Sequence, residues 1–495
     1  MSTARKVLGN TAVQVAGRFV MAFMSIIIVK LITSYLGLEG YGKYSAIYEF
    51  LAFFGVAADL GLFTISVREM AKEDTQEARE HILSNIITMR SLLCIATMTV
   101  AIIAAYFVPQ YKAIHLGIII ASAAVFLSTL QSAVASLLQF NLKMQYATIA
   151  QVAGKAASLA YIAYTIYYGF TEPSSAGFYN LIVAGVVGNI VLLGVTYFFA
   201  RRYGRIFFGT DWNFIRKVLL KSVPYGIALV LNMIYFRVGS IMLLLMKGPT
   251  EVGIYAVPMR VLEILSLIPV FFMNSVLPVL TRHVYEKTER VKDILKYSFD
   301  FLFMAGVPLV AGTQVLAYGI VGAISTPEFL SRIDDGFYGS DSVIKFLMIA
   351  MMVAFINSLF IYSIIASSHQ NRLLWLNGGC AIFNVVLNLF MIPWLGARGA
   401  AITSIATETL LLVLAYLVAR KDMPFTFSFG TLWKTLFAGV LMAVVVWGMR
   451  DFSFEYLKNY NIVVLVPIGA VVYGGVLFGT KAVTKDILDG IRQKA

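Results

Sequence analysis

Charged side chains are scarce in this chain: Asp, Glu, Lys and Arg make up 13% of its 495 residues, against about 25% in a soluble globular domain. Cysteine is nearly missing. Cys94 and Cys380 are the two present, and both lie inside apolar runs, so they say nothing about redox compartment. The four histidines, His81, His115, His283 and His369, stand apart without HExxH spacing, which removes the usual zinc and nucleophile constellations. Neither a G-x-x-x-x-G-K-[ST] stretch nor G-x-S-x-G occurs, so ATP hydrolysis on a phosphate-cradling loop and a hydrolase elbow are not expected. No loop is long enough to fold as a soluble domain or to carry the carboxylates of a sugar-joining enzyme. The chain reads as neither an enzyme nor a primary pump, and no cofactor is called for.

What is abundant is apolar sequence, 59% of residues, at a mean hydropathy of +0.81. The excess runs the whole length of the chain, beyond what one soluble core can bury, so the surrounding solvent is lipid. Fourteen runs of bilayer length lie near 10–36, 43–66, 82–107, 113–138, 146–168, 178–200, 222–246, 252–280, 295–322, 343–368, 372–395, 399–419, 433–450 and 461–479, each close to the ~20 residues that cross a hydrocarbon core. Backbone amides in hydrocarbon are satisfied only within helices or closed barrels. The ten-residue alternation of barrel strands is absent. The expected fold is an all-α polytopic membrane protein. The first run follows Arg5 and Lys6 like a signal peptide, but its length and Arg18 argue for a retained span.

The net charge of +13 does not point to nucleic acid. With the N-terminus inside, cytoplasmic segments hold 25 Lys and Arg and outer loops hold 8. This is the positive-inside asymmetry, and it places both termini in the cytoplasm of a cell-membrane protein. The basic loop at 201–221 splits the spans into six before and eight after. "GLEGYGKYSAIYEFL" after the first span is echoed by "GPTEVGIYAVPMRVLEIL" after the seventh, as in carriers built from parallel repeats. The expected division is 1–205, a six-helix bundle, 206–420, a second one, and 421–495, two further helices and a tail.

Arg18, Lys30, Arg90, Lys155, Arg237 and Arg260 fall within spans, where a charge costs about 2.5–3.5 kcal/mol on insertion scales and usually faces a bundle interior or wet cavity. Asn10, Gln14 and Arg18 share one helical face at i, i+4, i+8. The eighth span carries Arg260 with Glu263 at i+3, and the seventh carries Asn232 and Arg237. At 1.5 Å per residue, Arg237 and Arg260 sit about 14 and 12 Å below the outer surface. Several bland readings apply. Lys30 snorkels, Arg260 and Glu263 neutralise each other, and Arg90, Lys155, Asp59, Asp300 and Glu408 serve packing or span ends. Asn377, Asn384 and Asn388 act as interhelical glue. Arg237 and Arg18 have no acid within about a turn on their own helix, which suits an anion ligand. The structural alternative for Arg237 is a carboxylate from another span, Glu49 or Glu263.

"LGLEGYGKYSAIYEFLAFFGVAADLGLFTISVREMAK" (36–72), "KSVPYGIALVLNMIYFRVGSIMLLLMKGPTEVGIYAVPMRVLEILSLIPVFFMNSVLPVLTR" (221–282) and "NVVLNLFMIPWLGARGAAITSIATE" (384–408) resemble, in that order, the polysaccharide flippases of the multidrug/oligosaccharidyl-lipid/polysaccharide exporter superfamily. The resemblance implies two pseudo-symmetric six-helix bundles around a cavity lined by spans 1, 2, 7 and 8, with two appended helices. It implies alternating access and a polyprenyl-pyrophosphate-linked sugar as cargo, held by Arg237, Arg18, Arg260, Asn232 and Gln14. Glu263, Glu49 and Glu408 are the carboxylates for ion coupling or charge pairing. Relatives often read Arg-x-Asp in the seventh span. Here the sequence is Arg237, Val238, Gly239, which leaves the arginine less neutralised. Membrane lipids, and a glycan polymerase or glycosyltransferases, are the implied partners. A peptidoglycan-precursor flippase remains open, as does a drug or cation exporter on the same fold, although the latter calls for a net acidic cavity.

Overall fold

In the computed structural model the described residues are 3–367, 369–421, 423, 425 and 429–482, and among them the side chains of 3–12 and of several residues between 221 and 236, Asn232 included, lie outside the description. Extended pairing among the described residues is a single bridge, Arg332 to Phe337. The architecture is helical. In chain order it comprises α1 (Thr3–Asp59), α2 (Leu62–Met70), α3 (Gln76–Phe107), α4 (Pro109–Lys112), α5 (His115–Phe140), α6 (Met144–Tyr164), α7 (Ser175–Ala200) and α8 (Trp212–Lys247). There follow α9 (Pro249–Leu265), α10 (Leu267–Tyr285), α11 (Arg290–Ile324), α12 (Ser340–Ala366), α13 (Gln370–Leu395), α14 (Ala397–Ala419), α15 (Phe429–Leu457) and α16 (Ile462–Gly479).

All fourteen expected spans fall on these helices, though among the described residues 11 stretches meet a strict test of length and hydropathy. The difference has three sources. The stretch Val13–Met70 holds two spans, and α6 and α8 carry the fifth and seventh outside that set. As a straight rod the 57 residues of α1 would reach about 86 Å, far beyond the ~30 Å hydrocarbon core. The rod breaks at Gly37, with φ 66° and ψ −171°, a region glycine enters without a Cβ penalty. Conversely, α9 and α10 make one span. They separate because Pro269 has no N–H to donate and its ring crowds the Leu265 carbonyl.

Side chains start the helices where loops enter. Thr75 accepts from the Ala78 N–H, Ser174 from Gly177 and Asp211 from Phe214, each satisfying an amide that the first turn leaves open. Residues 201–211 are strapped to the start of α3. Gln76 donates to the Tyr203 carbonyl at 3.0 Å, Arg205 N–H to Glu80 at 3.0 Å, and Asp211 N–H to Asn85 at 2.8 Å.

The chain packs as two compact units, Met1–Gly253 and Ile254–Ala495. Their boundary lies one span past 205/206, because α8 packs on α1. In the first unit α5, α6 and α7 pack together with α1 and α3. Helices in lipid gain little from burying apolar surface against one another, so close backbone approach matters more. Gly154 and Gly188 provide it: a Cβ on Gly154 would stand 2.7 Å from the Gly188 carbonyl oxygen, and one on Gly188 2.8 Å from that of Gly154. In the second unit α12 lies among α10, α11, α13 and α14, while α15 and α16 pack on α11. Apolar side chains such as Phe107, Trp375, Trp394 and Val471 remain outward. Tyr164, Tyr167 and Tyr168 cluster exposed at the end of α6, as expected of an interfacial aromatic belt.

Candidate functional site

Arg237 stands on α8, which packs against the second arm of α1. Its Nη1 donates to both oxygens of Glu49, at 2.6 Å each. The partner is 188 residues earlier in the chain. The structure thus supplies from α1 the carboxylate that the family pattern places two residues beyond the arginine, where this chain has Gly239. The Arg237 side chain is 22% exposed and that of Glu49 7%, so the carboxylate is the more deeply held member. A charge-assisted contact this short in a low-dielectric setting anchors both helices.

Tyr111 lies on the turn helix α4 and packs against the residue after Glu49. It is buried, and its ring centroid is 4.4 Å from that of Phe50, the residue after Glu49. Its hydroxyl has no hydrogen-bond partner among the described residues. Burial, and then the charge of Glu49, push the phenol well above its ordinary range. Tyr111 was not legible from sequence, since it lies in a short turn with no periodic or motif signal.

The other expected residues separate between the two units. Arg18 is exposed on the first arm of α1, with Gln14 half-buried one turn before it. The Asn232 side chain lies outside the described residues. In the C-terminal unit Arg260 donates to Glu263 at 2.8 Å, the local pair that i, i+3 spacing anticipates. Glu408 is buried, and Asn357 of α12 donates to its side chain at 2.5 Å and to its backbone carbonyl at 3.0 Å. On the neighbouring helix Asn384 donates to Thr407 at 3.1 Å and Asn388 to Asn384 at 2.8 Å. The Asn384–Thr407 bond joins α13 to α14, as expected of interhelical glue, whereas the Asn388–Asn384 bond stays within α13. Arg90, 2% exposed, is paired with Asp59, which ties α3 to the end of α1. Asp341, at the start of α12, is consumed locally, accepting from the Ser331 amide and hydroxyl at 2.7 Å each. Among the described residues no group of three or more His, Cys, Asp or Glu could hold a metal ion.

Solved structures share this helical fold. The fold matches the lipid II flippase MurJ in an inward closed conformation at TM-score 0.73 and 14% identity, over 95% of this chain and 98% of that one. It matches an inward-facing multidrug resistance MATE transporter of the MOP superfamily at 0.65 and 13%, over 83% and 97%. A MOP superfamily transporter from Pyrococcus furiosus, described as having reverse polarity of its binding pocket, matches at 0.58 and 13%, over 84% and 93%.

The chain belongs to the polysaccharide biosynthesis protein family, whose model matches residues 7–284. It is also similar to the probable flippase AglR of Haloferax volcanii, 25% identical over 248 residues, which is half of each chain. The relative is named a flippase and the solved structures are transporters; this chain shares their fold and is a multi-span helical membrane protein.

Proposed function

We propose that this protein moves a polyprenyl-pyrophosphate-linked saccharide from the cytoplasmic to the outer leaflet by alternating access. The observation that carries the reading is Arg237: a permanently charged guanidinium inside a span, on a family member, partly exposed and already seated on an anionic group. A pyrophosphate offers the same kind of oxygen acceptor with more charge. Arg18, Arg260, Asn232 and Gln14 complete the set offered to the head group and first sugars, while the prenyl chain stays in lipid. Glu263 and Glu408 are the carboxylates available to a counter-ion. The flippase name of the Haloferax volcanii relative, with the polysaccharide biosynthesis description of the family, supports the lipid-linked saccharide over a drug.

The six, six and two division at 205/206 and 420/421, with both termini in the cytoplasm, is part of this proposal. The 25 to 8 distribution of Lys and Arg supports the orientation. Glycosyltransferases or a glycan polymerase of the same pathway are the partners it calls for. Two negative charges moving outward across 100 mV, inside negative, release roughly 4–5 kcal/mol, enough to drive transport without nucleotide. The test is translocation of lipid-linked sugar in proteoliposomes under an imposed potential, with a peptidoglycan precursor as the parallel substrate. Movement without nucleotide supports the reading. A strict ATP requirement ends it, and exclusive movement of the peptidoglycan precursor replaces the substrate.

A further inference from the structure

The segment between α7 and α8 is tied down, yet it turns its largest side chains outward. Besides the three bonds that strap it to α3, the Gly209 N–H donates to the Ser84 carbonyl at 3.1 Å. Tyr203, Ile206 and Phe214 point inward and pack on the apolar core of this unit. Phe207, Phe208 and Trp212 nevertheless remain 47%, 62% and 61% exposed. Aromatic rings held open at a span end suit the head-group layer, where an apolar body and a polar setting meet.

Five cations share the stretch: Arg201, Arg202, Arg205, Arg216 and Lys217 are all exposed. Between 201 and 217 the one acid is Asp211, and it is committed to the Phe214 amide at 3.1 Å and to His81 at 3.4 Å. The other basic loop, 282–296, neutralises itself: Arg282 reaches Glu286 at 2.9 Å and Lys292 reaches Glu289 at 2.7 Å. At 201–202 two guanidiniums instead converge on one ring, 5.0 and 5.1 Å from the Phe198 centroid. Like charges drawn to one aromatic face make a seat for phosphate oxygens. The helix dipole rewards Arg201 and Arg202 at the end of α7, but it does nothing for Arg216 and Lys217 near the start of α8.

We propose that residues 201–217 dock the anionic phospholipid head groups of the leaflet at this end of the spans, with Arg201 and Arg202 engaging phosphate while Phe207, Phe208 and Trp212 enter the acyl boundary. Charge complementarity selects an anionic over a zwitterionic lipid. The aromatics select a lipid over a free ion, which makes no use of three exposed rings. Position favours lipid over an acidic protein. The stretch joins two spans, and α8 begins at Trp212, ahead of the span expected from 222, so its first turns stand at the head-group layer. The surface is independent of the cargo assigned above.

The test counts lipid bound to the purified full-length protein in neutral detergent by native mass spectrometry. The probes are short-chain phosphatidylglycerol, phosphatidylcholine of the same chain length, and glycerol 3-phosphate. The wild type should bind phosphatidylglycerol at least about tenfold more tightly than phosphatidylcholine. Each cation near an anionic surface contributes about fivefold, so Arg201→Gln with Arg202→Gln should weaken phosphatidylglycerol about 25-fold and leave phosphatidylcholine unchanged. Phe207→Ser with Phe208→Ser should weaken both lipids alike. Lys287→Gln with Arg290→Gln removes the same charge from the other basic loop and should change neither. If the arginine variant does not fold, Arg216→Gln with Lys217→Gln, at exposed positions of α8, should show the same selective loss. Equal affinity of the wild type for the two lipids, equal loss from either basic loop, or no loss in the phenylalanine variant overturns the proposal. Displacement of the lipid by glycerol 3-phosphate at equal concentration makes this an ion site and overturns the lipid assignment. Wild-type lipid affinity in a folded cation variant also overturns it and leaves the patch to an acidic protein partner.

Discussion

Replacing Arg237 by alanine should separate its structural from its functional role. Glu49 is 6% exposed, so losing the guanidinium removes a short charge-assisted contact from a buried carboxylate. Breaking a buried pair from one side costs about 3–5 kcal/mol. Because the Arg237 side chain is itself 22% exposed, water reaches part of the site and about 3 kcal/mol is the expected loss. It should appear as a lowered unfolding temperature in mild detergent. Adding Glu49→Gln should recover most of that loss, since removal of both partners is far less costly than removal of one. Transport should not recover. A charge-assisted hydrogen bond contributes about 1.5–3 kcal/mol, so translocation in proteoliposomes should fall about 10- to 150-fold in the single and double variants alike. Arg237→Lys should retain part of the activity, keeping the charge without the planar fork. A double variant that is stable and transports like the wild type would refute the anion-seat argument and leave the pair a structural tie.

Three further outcomes follow from particular contacts. Asp59→Asn leaves the nearly inaccessible Arg90 without its carboxylate and should cost about 3–5 kcal/mol in detergent unfolding; an unchanged midpoint would show that the pair contributes nothing. Gly154→Leu drives a side chain toward the Gly188 carbonyl, 2.7 Å from the first added carbon, and should cost at least about 1–3 kcal/mol by overpacking, read as lost yield of monodisperse protein. A membrane-impermeant thiol reagent applied from outside should modify a cysteine at Gly336 and spare one at Ile206, and the reverse labelling would invert the topology.

The sequence alone was enough for everything that depends on local spacing. Run length and hydropathy specify spanning helices because hydrocarbon offers the backbone no outside partner, so each segment has to satisfy its own amides. The Arg260–Glu263 pair was legible because residues three apart on a helix are neighbours wherever the helix packs. Arg237 stood out for the same local reason, having no acid near it on its own helix.

What its charge rests on was not legible. Both Glu49 and Glu263 were open, and choosing between them requires knowing that α8 lies on the second arm of α1, a contact between helices 188 residues apart in sequence at the pair. The same holds for Asn357 against Glu408 and for the Tyr111 hydroxyl, unpartnered among the described residues. It holds too for the boundary of the compact units at Gly253–Ile254, which no composition shift marks. Helical periodicity gives the direction of a side chain around its own axis, whereas its partner depends on the rotation, kink and depth of another helix. Those are set jointly by features such as the break at Gly37 and the close approach of Gly154 to Gly188, so only the tertiary structure decided which carboxylate meets which arginine.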